Sequence, residues 1–173
     1  LNVGKKIGEK WDVTFGGHWQ DSKEPDLSRY YPDRYASTNL LTTSGTVART
    51  ASQRESYTAP MGSNSAYAEI EYDNKFSVGM TRSYLNHPST TSNQPKNTVY
   101  SNDANWETLI ETYHGKYRFQ PTAKLSGESL LTYSSYNVLP DSNFTNSFAD
   151  FKAYKYAEGD KLEFQQQLEY KMS

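Results

Sequence analysis

Hydrophobic and polar residues alternate with a period of two along most of the chain. In the run KLEFQQQLEYKM, Leu162, Phe164, Leu168, Tyr170 and Met172 fall on one side, with Gln166 the single exception. Lys161, Glu163, Gln165, Gln167, Glu169 and Lys171 fall on the other. Successive side chains of a strand point to opposite sides of a sheet, so this run reads as a strand with one apolar and one charged face. Phe164, Leu168 and Met172 also fit a helical spacing, and Glu, Gln and Lys favour helices. Repetition of the two-residue period elsewhere favours the strand.

The same pattern recurs upstream. Leu1, Val3 and the segment Gly4–Gly8 predict the end of one strand and a turn. In residues 10–20, Trp11, Val13, Phe15, Gly17 and Trp19 oppose Lys10, Asp12, Thr14, His18 and Gln20. Alternation is lost over residues 21–65, a polar stretch of roughly 45 residues, which predicts a functional or partly disordered loop. It resumes with Ala66, Ala68, Ile70 and Tyr72, turns at Asp73-Asn74-Lys75, and continues with Phe76, Val78, Met80 and Tyr84, where Arg82 breaks the apolar face. After a polar loop over 86–104, the strand 105–119 places Leu109, Tyr113, Tyr117 and Phe119 on one side, with Glu111 as an exception. Gln120-Pro121-Thr122 turns the chain into Leu125, Gly127, Leu131 and Tyr133. Residues 148–157 predict a weaker strand of unsettled phase, and Glu158-Gly159-Asp160 a last short turn.

Connections therefore alternate between short turns (4–8, 73–75, 120–122, 158–160) and long polar loops (21–65, 86–104, 137–147). Two-faced strands joined in this way are the plan of an outer-membrane barrel, apolar toward lipid and polar toward the lumen. Spacing agrees: Trp11 and Trp19, Phe76 and Tyr84, Leu125 and Tyr133, and Leu162 and Tyr170 are pairs eight residues apart. At about 3.3 Å per residue and a tilt of about 40°, that interval rises roughly 20 Å, near the apolar band of about 25 Å between aromatic girdles. The expectation is an all-β fold, an antiparallel transmembrane β-barrel segment of about seven to eight strands with short periplasmic turns and long extracellular loops. Residues 1–173 would form part of one barrel domain.

Composition narrows the choice. The 173 residues are only 35% hydrophobic, yet include 15 tyrosines, which suits a surface half apolar and half wet. A formal net charge of −2, without a basic run or stacking motif, argues against nucleic acid as a partner. With no cysteine, neither a disulfide framework nor a thiolate metal site can form. No apolar run is long enough for a membrane helix. The chain opens on Leu1, and is expected to be a processed protein or an excised piece.

The runs YHGKYRFQPTAKLSGESLLTYSSYNVLPDSNF and FKAYKYAEGDKLEFQQQLEYKMS, and WDVTFGGHWQDSKEPDLS near the start, resemble the barrel of TonB-dependent outer-membrane receptors. The resemblance covers most of the chain in texture, without a diagnostic motif; the family's plug and TonB box are not among these residues. It implies a ligand-gated importer in the outer membrane of a bacterium. Such a protein takes up a scarce solute such as a ferric siderophore, haem or cobalamin. Its partners are outer-membrane lipid, a plug domain and the TonB complex. Lys116, Arg118, Glu128, Glu163 and Glu169, on the lumen face, would then meet the plug or water.

Candidate chemistry is sparse. His18 and His114 fall on the polar face and His87 in a loop, without ligand spacing, and read as ordinary histidines. The haem-receptor FRAP/NPNL signature is absent. In SRYYPDRY, Arg29, Tyr30, Tyr31, Arg34 and Tyr35 combine planar cations with amphipathic aromatics and suit a chelated anionic ligand at an extracellular loop. A solvated loop with packed tyrosines is the competing reading. No nucleophile motif appears, and no enzyme activity, metal or cofactor is expected. Two rival functions stand: a complete small outer-membrane barrel serving as anchor or passive pore, and a secreted soluble all-β module binding carbohydrate through Tyr and Trp.

Overall fold

The computed structural model describes residues 1–23, 25, 27–30, 39–41, 44–50, 60–89, 104–145 and 152–172. Seven strands build one open antiparallel sheet: β1 (Asn2–Ile7), β2 (Trp11–Lys23), β3 (Pro60–Tyr72), β4 (Phe76–Pro88), β5 (Asn105–Phe119), β6 (Leu125–Val138) and β7 (Ala157–Tyr170). Their order in the sheet is their order in the chain, each pairing with the next. Two small ladders lie outside it, Leu40–Leu41 with Val47–Arg49 and Asn143–Thr145 with Lys152–Tyr154, along with a single helical turn, Leu27–Tyr30.

The alternation of the sequence becomes two continuous faces because the registers keep like with like. One row runs Ile7, Trp11, Tyr72, Phe76, Tyr117, Ser129, Gln166; the next runs Lys5, Val13, Ile70, Val78, Gly115, Leu131, Phe164. The apolar face is uncovered, with Trp19 at 78% and Leu162 at 71% exposure. The only buried hydrophobic residues among those described are Ala104 and Val138 at the loop end. There the Ser142 hydroxyl donates to the Glu107 carbonyl oxygen at 3.1 Å and accepts from the Glu107 N–H at 3.0 Å, tying the chain after β6 to the start of β5.

The elements differ from the sequence expectations in five places. Glu158-Gly159-Asp160 is not a turn. It continues β7, pairing with Asn137, Tyr136 and Ser135, and Gly159 has no positive φ. Residues 152–154 pair with 143–145 rather than forming a wall strand, whereas Asn2–Ile7 is a full member of the sheet, so the first turn falls at 8–10 rather than 4–8. β2 runs on to Lys23 and β3 begins at Pro60, shortening the first long connection to residues 24–59. His87 lies in β4, paired with Trp106, not in a loop. Each change has one cause: added ladder pairs satisfy backbone groups wherever a neighbouring strand is present, whatever the local alternation. The short connections are then 8–10, 73–75 and 120–124, and the long ones 24–59, 89–104 and 139–156.

Candidate functional site: the polar face of the sheet

The polar face is crossed by side-chain bonds that span more than one strand. Arg118 on β5 donates from Nε to Glu128 on β6 at 3.0 Å and from Nη1 to Glu71 on β3 at 3.3 Å, reaching across β4. It also donates to the Asn74 carbonyl oxygen at 3.3 Å, so one guanidinium clamps three strands and a turn. His114 lies over Gly79, with its Nε2 3.9 Å from a Glu69 carboxylate oxygen. Tyr67 lies over Gly16 and donates its hydroxyl hydrogen to Asn2. Both glycines are needed, since a Cβ at either would meet the ring.

Charge divides this face in two. Lys6, Asp12, Glu69, Glu71, Lys116, Arg118, Glu128, Glu163 and Glu169 all lie toward the short turns, with Lys161 at their upper limit. Toward the long loops, three successive rows carry no Asp, Glu, Lys or Arg. They are His18, Ser65, Ser83, Ile110, Tyr136, Gly159; then Gln20, Ser63, Leu85, Thr108, Val138, Ala157; then, just beyond the end of the β3–β4 ladder, the pairs Ser22 with Met61 and His87 with Trp106. The apolar face has the reverse arrangement apart from Lys5, which shares a row with Val13. There Asp21, Lys23, Arg82, Glu107, Glu111, Glu158 and Asp160 gather toward the loops.

At the short-turn end an open concavity of ≈ 930 Å³ is lined by Arg118, Glu128, Gln167 and Glu169 together with Tyr117, Phe119 and the 73–75 turn. In that turn the Lys75 ammonium donates to Asp73 at 2.8 Å. The bond and the charge hold the Asp73 carboxyl below its ordinary value and the Lys75 ammonium above its own.

Of the loop residues singled out in the sequence, Arg29 and Tyr30 sit in the helical turn and are exposed, Tyr30 at 68%. Tyr31, Arg34 and Tyr35 lie outside the described residues. The sheet brings Arg118 and Glu128 together. It keeps Lys116, Glu163 and Glu169 in separate rows. Among the described residues, no group of three or more His, Cys, Asp or Glu is placed to hold a metal ion. Sequence reading passed over Trp106 and Tyr136, whose neighbours are known only once the register is fixed. Comparison of the chain with protein-family models, with curated proteins and with solved structures finds no match in any of the three.

Proposed function

We propose that the chain is part of the wall of a large outer-membrane β-barrel, of the type found in TonB-dependent receptors, and that the whole protein imports a scarce solute. The observation that carries the barrel reading is the apolar band, which is continuous over the sheet, uncovered and bounded by aromatics. A soluble domain rarely leaves so large a contiguous apolar surface bare; a barrel wall turns it to lipid. Trp11, Tyr72, Phe76 and Tyr117 form one row at its lower edge, and Trp11 and Tyr72 rings meet with centroids 4.7 Å apart.

The path of the band supports a tilted wall. Trp19, its upper limit on β2, shares a row with Glu158 on β7, yet on β7 the band stops four residues later at Leu162. Trp11, the lower limit, shares a row with Gln166, and there the last apolar residue within the strand is Tyr170, four residues later. Both limits shift equally and in the same direction. Four residues over five strand steps is about 13 Å along against about 24 Å across, a slope of about 30°. Barrel strands tilt by about 35–45° from the axis, so a level membrane crosses their hydrogen-bonded rows on such a slant.

The receptor reading rests on the resemblance together with the long loops and with strands of 13 to 15 residues from β2 to β7, longer than the roughly 9–11 needed to span. In a closed barrel β1 and β7, the two edges here, would each pair with a further strand. The test is the intact mass of the native polypeptide extracted from membranes in detergent and tracked by a peptide of this chain. A membrane protein several times heavier than 19.7 kDa is expected. A membrane protein of 19.7 kDa would instead favour the small anchor or pore. The same mass in the soluble fraction would overturn the barrel.

A further inference from the structure

We infer that the loop half of the polar face binds a neutral, polyhydroxylated ligand, an oligosaccharide; this rests on the barrel reading, in which that half lines the lumen below the long loops. A merely solvated face carries charges throughout, as the turn half does. Here three consecutive rows across up to six strands hold no Asp, Glu, Lys or Arg, while the opposite face concentrates these residues at the same level. What remains is hydroxyl, amide, imidazole and aromatic side chains, interspersed with Met61, Leu85, Ile110, Val138 and Ala157. Ser65, Ser83, Thr108 and Gln20 make no side-chain hydrogen bond to the described residues, so their donors and acceptors are open to a ligand.

Two aromatic side chains complete the surface. Tyr136 is 47% exposed, and its partner on β7, Gly159, has no atom within 4 Å of where a Cβ would stand, leaving the tyrosine's flank open. Trp106 projects on the same face of β5 as Ile110, the β5 partner of Tyr136, about 13 Å further along that strand. A sugar ring offers an apolar C–H face to such a ring and hydroxyls to the residues around it. An oligosaccharide rather than a single sugar is long enough to touch both aromatics. A ferric chelate or another anion calls for Arg or Lys, and the nearest lysine on this face is Lys161, at the border with the charged half.

The chain has no cysteine, so single thiols report cleanly. In the native protein, embedded in its own membrane, Ser83→Cys and Ile70→Cys are reacted with a water-soluble maleimide. This is done alone and with α- or β-linked glucose hexasaccharide, ferric citrate or haemin. Ser83→Cys is expected to label readily and to be slowed about tenfold by one of the hexasaccharides at saturation, equally in low and high salt. Trp106→Ala or Tyr136→Ala should remove that protection, each variant being compared with its own labelling rate in the absence of sugar. Protection by ferric citrate or haemin, or by neither hexasaccharide, would overturn the inference and leave the barrel standing so long as Ile70→Cys stays unlabelled. If Ile70→Cys labels as fast as Ser83→Cys, the barrel reading fails, and the inference with it.

Discussion

Glycine and aromatic residues meet as pairs in this sheet. Gly127 lies under the ring of Phe119, its partner on β5: a methyl there would stand 2.6 Å from Phe119 Cζ and 2.7 Å from the Gln167 carbonyl oxygen. The ring can turn aside, but the carbonyl belongs to the neighbouring strand. Gly127→Ala should therefore cost about 1–3 kcal/mol. Gly115→Ala, where nothing lies within 4 Å, should be neutral or stabilise by about 0.5–1 kcal/mol. Urea unfolding of both variants in the same vesicles compares them, and equal costs would mean that the close approach at Gly127 has no energetic weight. The polar exception Gln166 is self-contained in the same sense. It accepts from the Ser129 hydroxyl at 2.6 Å and donates to the Glu128 carbonyl oxygen at 3.1 Å, satisfying itself between Leu131 and Gly127. Ser129→Ala alone should cost about 1 kcal/mol, and adding Gln166→Leu should recover most of it, because removing both partners leaves nothing unsatisfied. An additive double variant would count against the pair.

At the scale of elements, the turns explain which sequence signals could be trusted. Asp73 and Asn74 adopt φ of 52° and 53°, the left-handed pair a tight hairpin needs and that Asp and Asn tolerate. Lys75 N–H closes the turn on Tyr72 O at 2.9 Å. Because the Asp73 carboxyl is held down, its contribution to stability is present above the unfolded carboxylate range and is lost as pH falls through the lower, folded value. Lys75 is held up, so its share is lost only as pH rises through its raised value. Lys75→Met should lower the unfolding midpoint on the neutral plateau and rejoin the parent protein at acid pH, so that its acid limb is shallower; identical pH profiles would show that this exposed pair is fully screened. Glu158-Gly159-Asp160 has the same turn-forming composition, yet the φ > 0 positions are absent and the segment is strand. Composition marks where a chain can reverse; pairing with β6 decides that here it does not. The two faces were legible residue by residue, because the period of two fixes them. The division of the polar face was not, because residues at one level are set by register, which alternation leaves free in steps of two. For the same reason Trp106 and Tyr136 stood out only in the assembled sheet. The loop cluster from Arg29 to Tyr35 was visible at once from its residue types.

At the scale of the whole molecule, the slant of the apolar band turns the barrel reading into a prediction about position. Phe15 on β2 and Leu162 on β7 lie in one row, linked through Ala68, Met80, Tyr113 and Tyr133. If the membrane ran parallel to that row, the two positions would be equivalent. On the slanted path Phe15 is midway between Trp11 and Trp19, at the centre of the hydrocarbon, while Leu162 is at the margin next to Asp160. Arginine on a lipid face costs about 2–4 kcal/mol at the midplane and about 0–1 near an interface. Measured against the alanine variant at each site, Phe15→Arg should therefore destabilise the folded protein in vesicles by about 2–4 kcal/mol and Leu162→Arg by at most about 1. Equal large costs would flatten the band onto the rows and remove the tilt. Equal negligible costs would place the apolar face in water, which its exposed row of aromatics argues against.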